Sequence, residues 1–340
     1  MDMQIDEATV AGLRQEGLLP TDGSVDAVPL TGGVASDIWL VQGAKAPFVV
    51  KRALAKLRVA ADWRAPVARN ASEVAWLRTV AGILPDCVPA ILAHDPKRGF
   101  FAMEFLTPDS YPVWKSELRN GTADAAFARA VGTSLSAIHA RTARQSDIAP
   151  QFNEDSVFRA LRVEPYLEYT ATRHPQIGNA LRALGTDVLG RHVTLVHGDI
   201  SPKNILVGPT GPVFLDAECA WFGEPTFDLA FCLNHLLLKC LWVPAYATAY
   251  AASYDELAAA YLAGIEWENA AGLEARAAAL LPALLLARID GRSPVEYVQD
   301  ERLKAFVRAF AIPLIMSPPR DLSMIRNAWM TALWNDGIAP

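Results

Sequence analysis

The sequence predicts an α+β protein with two unequal lobes: a small N-terminal lobe with an antiparallel sheet plus one helix, and a larger, mainly helical C-terminal lobe. The chain has 340 residues, and single hydrophobic cores rarely grow beyond about 250 to 300 residues. Short β-type runs are concentrated before residue 107, whereas later segments show mainly helical periodicity. We therefore expect lobes over residues 1–106 and 107–340, with a cleft between them.

Charge and cysteine content restrict the partners and the compartment. The chain has 37 acidic and 31 basic side chains and a formal net charge of −6, which gives no global field to attract nucleic acid or an anionic membrane. Its 4 cysteines fit neither a metal-binding pair nor a disulfide framework, so we expect free thiols. The acidic N-terminus does not resemble a secretory signal, and the longest uncharged stretch, Cys240 to Tyr254, is too short to span a membrane. These features predict a soluble cytoplasmic protein with no nucleic-acid or membrane partner, and they do not specify an oligomeric state.

The N-terminal lobe is expected to contain strands flanking one helix. Ile38 to Val41, Phe48 to Val50 and Phe100 to Phe105 are β-type runs next to glycine or proline. Between them, the segment from Ala71 to Ala81 carries apolar residues at helical spacing, which predicts a helix.

The C-terminal lobe is expected to be helical except near its middle. Apolar residues recur on one face from Phe127 to Ile138, and helices are also predicted within Leu257 to Leu262 and Ala275 to Ile289. The exception consists of three short apolar runs that read as strands, at 193–196, 205–207 and 213–215. Polar residues at the ends of these strands are where functional loops commonly lie.

The densest cluster of polar residues follows the first of these short strands. Asp199 in a loop, Asn204 five positions later and Asp216 beyond a tight hairpin together offer oxygen ligands suited to Mg²⁺. Phosphoryl transfer depends mainly on positioning and on neutralising charge on phosphate oxygens, so it needs a metal, a cation and an orienting carboxylate. The pattern therefore predicts phosphoryl transfer, with Asp199 accepting the proton of a substrate hydroxyl.

The pattern His-Gly-Asp-x-x-x-x-Asn, followed by a hydrophobic pair and Asp, resembles the aminoglycoside phosphotransferase and choline kinase superfamily, small-molecule relatives of the protein kinases. This resemblance implies a protein-kinase-like fold, an ATP and Mg²⁺ requirement, and transfer of the γ-phosphate to a hydroxyl of a small molecule. It implies that Asp199 is the catalytic base and that Asn204 and Asp216 are the metal ligands. It further implies that Asp228 braces the catalytic loop and that His197 supports its conformation.

The resemblance extends to nucleotide-binding positions in the N-terminal lobe. Gly32 and Gly33 lie between two β-type segments, where backbone N–H groups can approach phosphates closely, and Ser36 is the expected side-chain contact. Lys51 ends an apolar strand and is similar to the kinase lysine that pairs with the α- and β-phosphates, with Glu73 on the predicted helix as its partner.

Four further residues are expected to contribute to this site. The backbone groups of Glu104 and Leu106 form the expected hinge that reads the adenine edge. Lys203, in the loop of Asp199, is placed to offset charge on the transferring γ-phosphate. Glu218 faces the metal or supports the loop, with the supporting role favoured.

The acceptor is less well defined by the sequence. The stretch from Val49 to Leu54, with Arg58, Trp63 and Glu73, and the segment from Asp216 to Ala220 are similar to methylthioribose kinases, which favours a sugar-like or polyol hydroxyl. That branch usually lacks an Asn at the position of Asn204.

Two other acceptor classes stay open as alternatives. Aminoglycosides would require an acidic pocket. Choline or ethanolamine would require an aromatic box, which could come from Trp221, Phe222, Trp242 and Trp267.

Two other classes of protein were considered. A nucleotide-binding regulatory pseudokinase would be expected to lack the base or a metal ligand, yet Asp199, Asn204 and Asp216 are all present. A protein kinase would need an activation segment after Asp216, and the short spacing to Asp228 leaves little room for one.

Overall fold

The computed structural model describes residues 4–30, 36–54 and 69–339. Within these residues, five antiparallel strands form one sheet in the order β1-β2-β3-β5-β4. The strands are β1 (Ala27–Pro29), β2 (Ser36–Val41), β3 (Phe48–Ala53), β4 (Ile91–Asp95) and β5 (Phe100–Glu104). The three strand runs predicted for this part of the chain are confirmed, because each falls on β2, β3 or β5.

Two helices belong to the same part of the chain, α1 (Glu7–Gln15) and α2 (Arg69–Ala81). The helix predicted from Ala71 corresponds to α2, which begins at Arg69. Val74, Leu77 and Val80 are buried, so the apolar spacing does mark the packed face of this helix. An antiparallel sheet with helix α2 is therefore present before residue 105, and the remainder is mainly helical. The exact lobe boundary at residue 106 stays a prediction.

Ten further helical segments follow the sheet. They are α3 (Trp114–Arg119), α4 (Ala125–Thr142), α5 (Asp155–Phe158), α6 (Tyr169–Arg173), α7 (Gly178–Leu189), α8 (Thr226–Trp242), α9 (Ala247–Ala263), α10 (Ala270–Asp290), α11 (Glu301–Met316) and α12 (Leu322–Asn335). Between α5 and α6, residues Arg159–Glu168 form a π-helix that contains Pro165. Wide turns of this kind often occur at functional sites.

The short strands predicted in the helical part are also present. They are β6 (Thr194–Val196), β7 (Ile205–Gly208) and β8 (Gly211–Phe214), and a fourth strand, β9 (Trp221–Gly223), was not predicted. The hairpin β7–β8 closes at Gly208 and Gly211, which are directly paired. Strand β6 pairs with β9, so the chain returns next to β6 after the hairpin. This return brings the loops after β6 and β8 together.

The core explains why the helical part holds its site rigidly. Every residue of α8 from Thr226 to Leu241 is buried, because the helix packs against α9 and α10 on different sides. A second, smaller cluster, which includes Trp39, Phe48 and Phe100, packs on the other face of the sheet. All 4 cysteines are free and buried, as the sequence analysis expected.

Among the described residues, one helix is long and apolar enough to cross a membrane by length and composition alone. This is α10, Ala270–Asp290, and 61% of its most apolar window is buried inside the protein.

Candidate active site

Asp199 lies in the loop between β6 and β7, where several groups surround its carboxylate. The Asn204 amide Nδ2 donates to Oδ2 of Asp199 at 2.9 Å and to the Asp199 carbonyl at 3.1 Å. Nζ of Lys203 and Nη2 of Arg162 each lie 3.1 Å from the same Oδ2. The structure thus brings together Asp199, Lys203 and Asn204 as predicted, and it adds Arg162, which comes from the π-helix.

The backbone of this loop is held by the first turn of α8. The two carboxylate oxygens of Asp228 accept the backbone N–H groups of His197 and Gly198, each at 2.7 Å. The imidazole of His197 lies 3.0 Å from the carbonyl of Leu215 and accepts the Asp199 N–H at 3.1 Å. These contacts link the loop after β6 to the loop after β8 through His197.

Gly198 adopts a left-handed backbone with φ of +78°. A Cβ at this position would lie 2.7 Å from the carbonyl oxygen of Cys219. Both the dihedral angle and the close approach require glycine here.

Asp216 directly follows β8 and connects the helical part with the sheet. Its backbone is left-handed, with φ of +66°, a conformation that Asp adopts more readily than most residues but that remains uncommon. Oδ1 of Asp216 pairs with the Lys51 ammonium of β3. Lys51 also pairs with Glu73 of α2, at 2.8 Å to Oε1 and 2.7 Å to Oε2. The structure therefore connects the predicted residues Glu73, Lys51 and Asp216 by ion pairs.

The charges at this site are stabilised by one another. Burial would raise the pKa of Asp199, but the nearby Lys203 and Arg162 outweigh it and lower this pKa below its usual range. Burial would lower the pKa of Lys51, but Asp216 and Glu73 outweigh it and raise the pKa. Asp199 is therefore a carboxylate and Lys51 an ammonium at neutral pH.

A cavity of 630 Å³ is lined by the charged and amide side chains of the site, namely Lys51, Glu73, Arg162, Asp199, Lys203, Asn204 and Asp216. One end is lined by apolar residues of the sheet and of the β7–β8 hairpin region, among them Ile38, Val49, Met103 and Leu206. Glu104, Leu106 and Ser36 line the cavity too, so these predicted nucleotide contacts share it with Lys51 and Glu73. Gly32 and Gly33, with the neighbouring loop, lie outside the described residues, as do Arg58 and Trp63.

A backbone hydrogen bond limits what Glu104, in the predicted hinge, can offer a ligand. The backbone N–H of Glu104 donates to the carbonyl of Ala90 at 2.9 Å. The backbone group that Glu104 can offer a ligand is therefore its carbonyl oxygen rather than its N–H.

The other end of the cavity is lined by residues that sequence reasoning missed as a group. They are Lys115, Tyr166, Phe231, His235, Arg288 and Ser293. Most of them are polar side chains within helical segments, where they interrupt the apolar periodicity. These interruptions are the sequence feature that could have identified them.

Glu218 has a supporting contact near the cavity. Its carboxylate Oε2 lies 3.0 Å from Nε of Arg69, at the start of α2, and burial raises its pKa. The supporting role favoured for Glu218 is consistent with this pairing between helix α2 and the loop after β8.

The aromatic residues considered as a cation box lie in separate clusters. Trp221 stacks on Phe158 with ring centroids 4.4 Å apart, whereas Trp242 stacks on Tyr297 at 4.6 Å. Trp267 packs edge-on against Tyr261.

Comparison with known proteins connects this arrangement to one family. Residues 26–262 match the phosphotransferase enzyme family. A methylthioribose kinase of Escherichia coli is 26% identical over 260 residues, which cover 66% of this chain and 59% of that protein. The chain therefore spans less than two thirds of the length of this relative.

Solved structures share the fold. A choline/ethanolamine kinase family protein from Mesorhizobium loti aligns with a TM-score of 0.53 at 17% identity, covering 96% of this chain and 98% of that one. An amicoumacin kinase, solved with AMP-PNP, Ca²⁺ and its ligand, aligns with a TM-score of 0.52 at 14% identity, covering 99% and 96%. The predicted α+β, protein-kinase-like fold is confirmed. The match over residues 26–262 establishes that the chain belongs to the phosphotransferase enzyme family, as its motifs predicted.

Proposed function

We propose that this protein is an ATP-dependent small-molecule kinase that transfers the γ-phosphate to a hydroxyl group. One observation carries the proposal: Lys51, which is distant along the chain, lines one cavity together with Asp199, Asn204 and Asp216. A hydroxyl oxygen would attack the γ-phosphorus, the bond to the leaving ADP oxygen would break, and the hydroxyl proton would pass to Asp199. The hydrogen bond from Asn204 orients the carboxylate for this task.

The residues fit a bound Mg²⁺. The Asn204 Nδ2 group donates to Asp199, so the side-chain oxygen Oδ1 of Asn204 is the atom left for a metal. Asp216 uses Oδ1 for Lys51, which leaves Oδ2. One or two oxygen side chains plus substrate phosphates are a common Mg²⁺ ligand set. When bound, the metal would neutralise phosphate charge, and Asn204 and Asp216 would hold it.

The nucleotide would use the sheet side of the cavity. Lys51, fixed by Glu73, supplies a permanent cation for the α- and β-phosphates. Glu104 and Leu106 supply backbone groups for the adenine edge, and Gly32, Gly33 and Ser36 supply the phosphate loop. Lys203 is half-exposed beside Asp199, where it would offset charge on the γ-phosphate.

The finer assignments rest on the sequence and the relatives. We propose a sugar-like or polyol hydroxyl as acceptor, of the kind present in methylthioribose, supported by the 26% identity to a methylthioribose kinase. We also propose that the lobes comprise residues 1–106 and 107–340 and that the protein is cytoplasmic.

Turnover assays test the kinase proposal. Purified protein with ATP and Mg²⁺ should release ADP with at least one member of a panel of sugars, polyols, sugar acids, amino alcohols and aminoglycosides. Asp199→Asn should lower kcat by about 10² to 10⁴ while ATP binding persists. ATP binding without turnover in the whole panel would favour a regulatory pseudokinase, and unchanged turnover of Asp199→Asn would remove Asp199 as the base.

A further inference from the structure

A second, smaller cavity adjoins the basic end of the main one. Its volume is 30 Å³, and Lys115, Lys203, His235 and Arg288 line both cavities. Ser201 and Pro202, from the catalytic loop, line only the smaller one. Because Lys203 lines this small cavity and its Nζ lies 3.1 Å from Oδ2 of Asp199, the cavity lies beside the proposed proton acceptor.

Four of the described residues that line the small cavity carry a buried polar atom without a hydrogen-bond partner. Within the described residues, four buried polar atoms there have no hydrogen-bond partner: Ser201 Oγ, His235 Nε2, Arg288 Nε and Tyr297 OH. Ser201, His235 and Arg288 are each more than nine-tenths buried. All four atoms can donate a hydrogen bond, whereas a buried donor without an acceptor costs about 1 to 3 kcal/mol. The cavity therefore lacks an acceptor-rich group.

One buried cation beside the small cavity, Lys239, has no ion-pair partner among the described residues. Lys239 of α8 is 1% exposed, and its Nζ lies 4.3 Å from the Trp242 ring centroid and 4.0 Å from that of Tyr297. No carboxylate of the described residues forms an ion pair with it. Glu296, the acid that lines the cavity, pairs with Lys115 and has a side chain that is 65% exposed.

Burial and the neighbouring cations destabilise the charged form of this lysine. Burial, then Lys115, opposed by Glu296, lowers the pKa of Lys239 to about 6. An anion in the cavity would reverse this effect by giving the ammonium a partner.

We propose that the acceptor carries a carboxylate that binds in this small cavity, so that the substrate is a hydroxy acid. The inference rests on the proposed function, because it places the acceptor hydroxyl at Asp199. A cavity of 30 Å³ exceeds the roughly 10 to 15 Å³ that one water molecule needs, so it admits a small oxygen-bearing group such as a carboxylate.

The same features disfavour the cationic acceptors. Aminoglycosides and choline would place positive charge against Lys115 and Arg288. The stacked rings of Trp242 and Tyr297, which could hold a quaternary ammonium, are already covered by Lys239. A hydroxy acid with a sugar-like chain satisfies both the polyol acceptor and the basic cavity.

Thermal unfolding and calorimetry with matched probes test the proposal. The carboxylate probes are glycerate and gluconate, their uncharged counterparts are glycerol and glucitol, and glycerol 3-phosphate and choline complete the set. A carboxylate probe at about ten times its Kd should raise Tm by about 2 °C or more, and the uncharged counterparts should not. Lys239→Met should weaken carboxylate binding about ten- to hundredfold, while the Tm shift caused by ATP stays unchanged.

Two further lysine variants test whether a loss of carboxylate binding is specific to the small cavity. Lys115→Met, at a partly exposed position, should also weaken carboxylate binding, whereas Lys97→Met, in the exposed turn between β4 and β5, should not. A larger shift with glycerol 3-phosphate would assign the site to phosphate instead. Equal shifts with the neutral polyols, no shift with any probe, or full binding by Lys239→Met would overturn the inference. Loss of the ATP shift in the wild-type protein would instead contradict the proposed kinase function.

Discussion

The carboxylate of Asp199 is buried and yet ionised. Arg162 and Lys203 on one oxygen hold its pKa below the usual range, and Asn204 fixes its direction. A carboxylate whose pKa is lowered is a weaker base than an ordinary aspartate. Its contribution to phosphoryl transfer therefore comes mainly from orienting the hydroxyl, which suits a reaction with a loose transition state.

Replacing Lys203 distinguishes an effect on kcat from an effect on the KM for ATP. Lys203→Ala should lower kcat about ten- to hundredfold and raise the KM for ATP much less, because its charge matters most as the γ-phosphate transfers. Initial-rate kinetics on purified protein give both values. Lys97→Ala is the matched control on an exposed lysine away from the cavity. An unchanged kcat in Lys203→Ala would remove this role.

At the scale of the element, the catalytic loop is set by the start of α8 and by one glycine. Asp228 holds two successive N–H groups, and Gly198 makes the left-handed turn that presents them. Helix α8 is buried along nearly its whole length, so the anchor of the loop cannot shift without disturbing the core.

Alanine substitution of two glycines distinguishes close packing from backbone strain. Gly17 has φ of +71°, and no atom lies within 4 Å of the point that an alanine Cβ would occupy there; at Gly198, with φ of +78°, the Cβ would meet the Cys219 carbonyl. Gly17→Ala should cost about 1 kcal/mol of unfolding free energy from the dihedral angle alone. Gly198→Ala should cost more, about 2 to 4 kcal/mol, and reduce activity. Urea unfolding and initial rates measure both, and equal losses in the two variants would contradict the packing explanation.

At the scale of the whole molecule, charge is distributed unevenly. The chain carries a formal net charge of −6, yet the end of the cavity opposite the sheet is basic. Ion pairs from Lys51 to Asp216 and from Arg69 to Glu218 connect the sheet region to the loop after β8. Lys239 of α8, by contrast, is buried and forms no such pair among the described residues. Burying this lysine therefore lowers the free energy of unfolding.

The stability of the protein should therefore depend on pH through Lys239. Its pKa is lowered from 10.5 to about 6 in the folded state, so the unfolded chain binds more protons between these values and stability rises with pH across this window. Lys239→Met should stabilise the protein more at pH 6.5 than at pH 9.5. The gain in unfolding free energy should be larger at pH 6.5 by roughly 2 to 4 kcal/mol, because the contacts of Lys239 with aromatic rings offset part of the cost of burying its charge. Urea unfolding of both proteins at the two pH values measures the difference. Lys97→Met should show no such dependence, and a gain that grows with rising pH in Lys239→Met would contradict the explanation.

The local parts of the site were predictable from the sequence. Asp199 and Asn204 share one loop, and their relation depends on a few backbone dihedrals between β6 and β7. The helix carrying Glu73 and the strand ending at Lys51 follow from apolar periodicity, which depends on near neighbours alone. The short helix α1, strands β1, β4 and β9, and the π-helix were not predicted, because their patterns are too short or too irregular.

The sequence by itself determined the family, the order of the main strands and helices, and the identity of the residues proposed to handle phosphate, because these depend on local spacing and on a motif within one loop. Only the tertiary structure decided that Arg162 reaches Asp199 and that His235, Lys239 and Arg288 surround a cavity with unpaired donors. The physical reason is that a polar residue in a helix has the same local pattern whether it faces solvent or a cavity. Its environment is set by the helices packed against it.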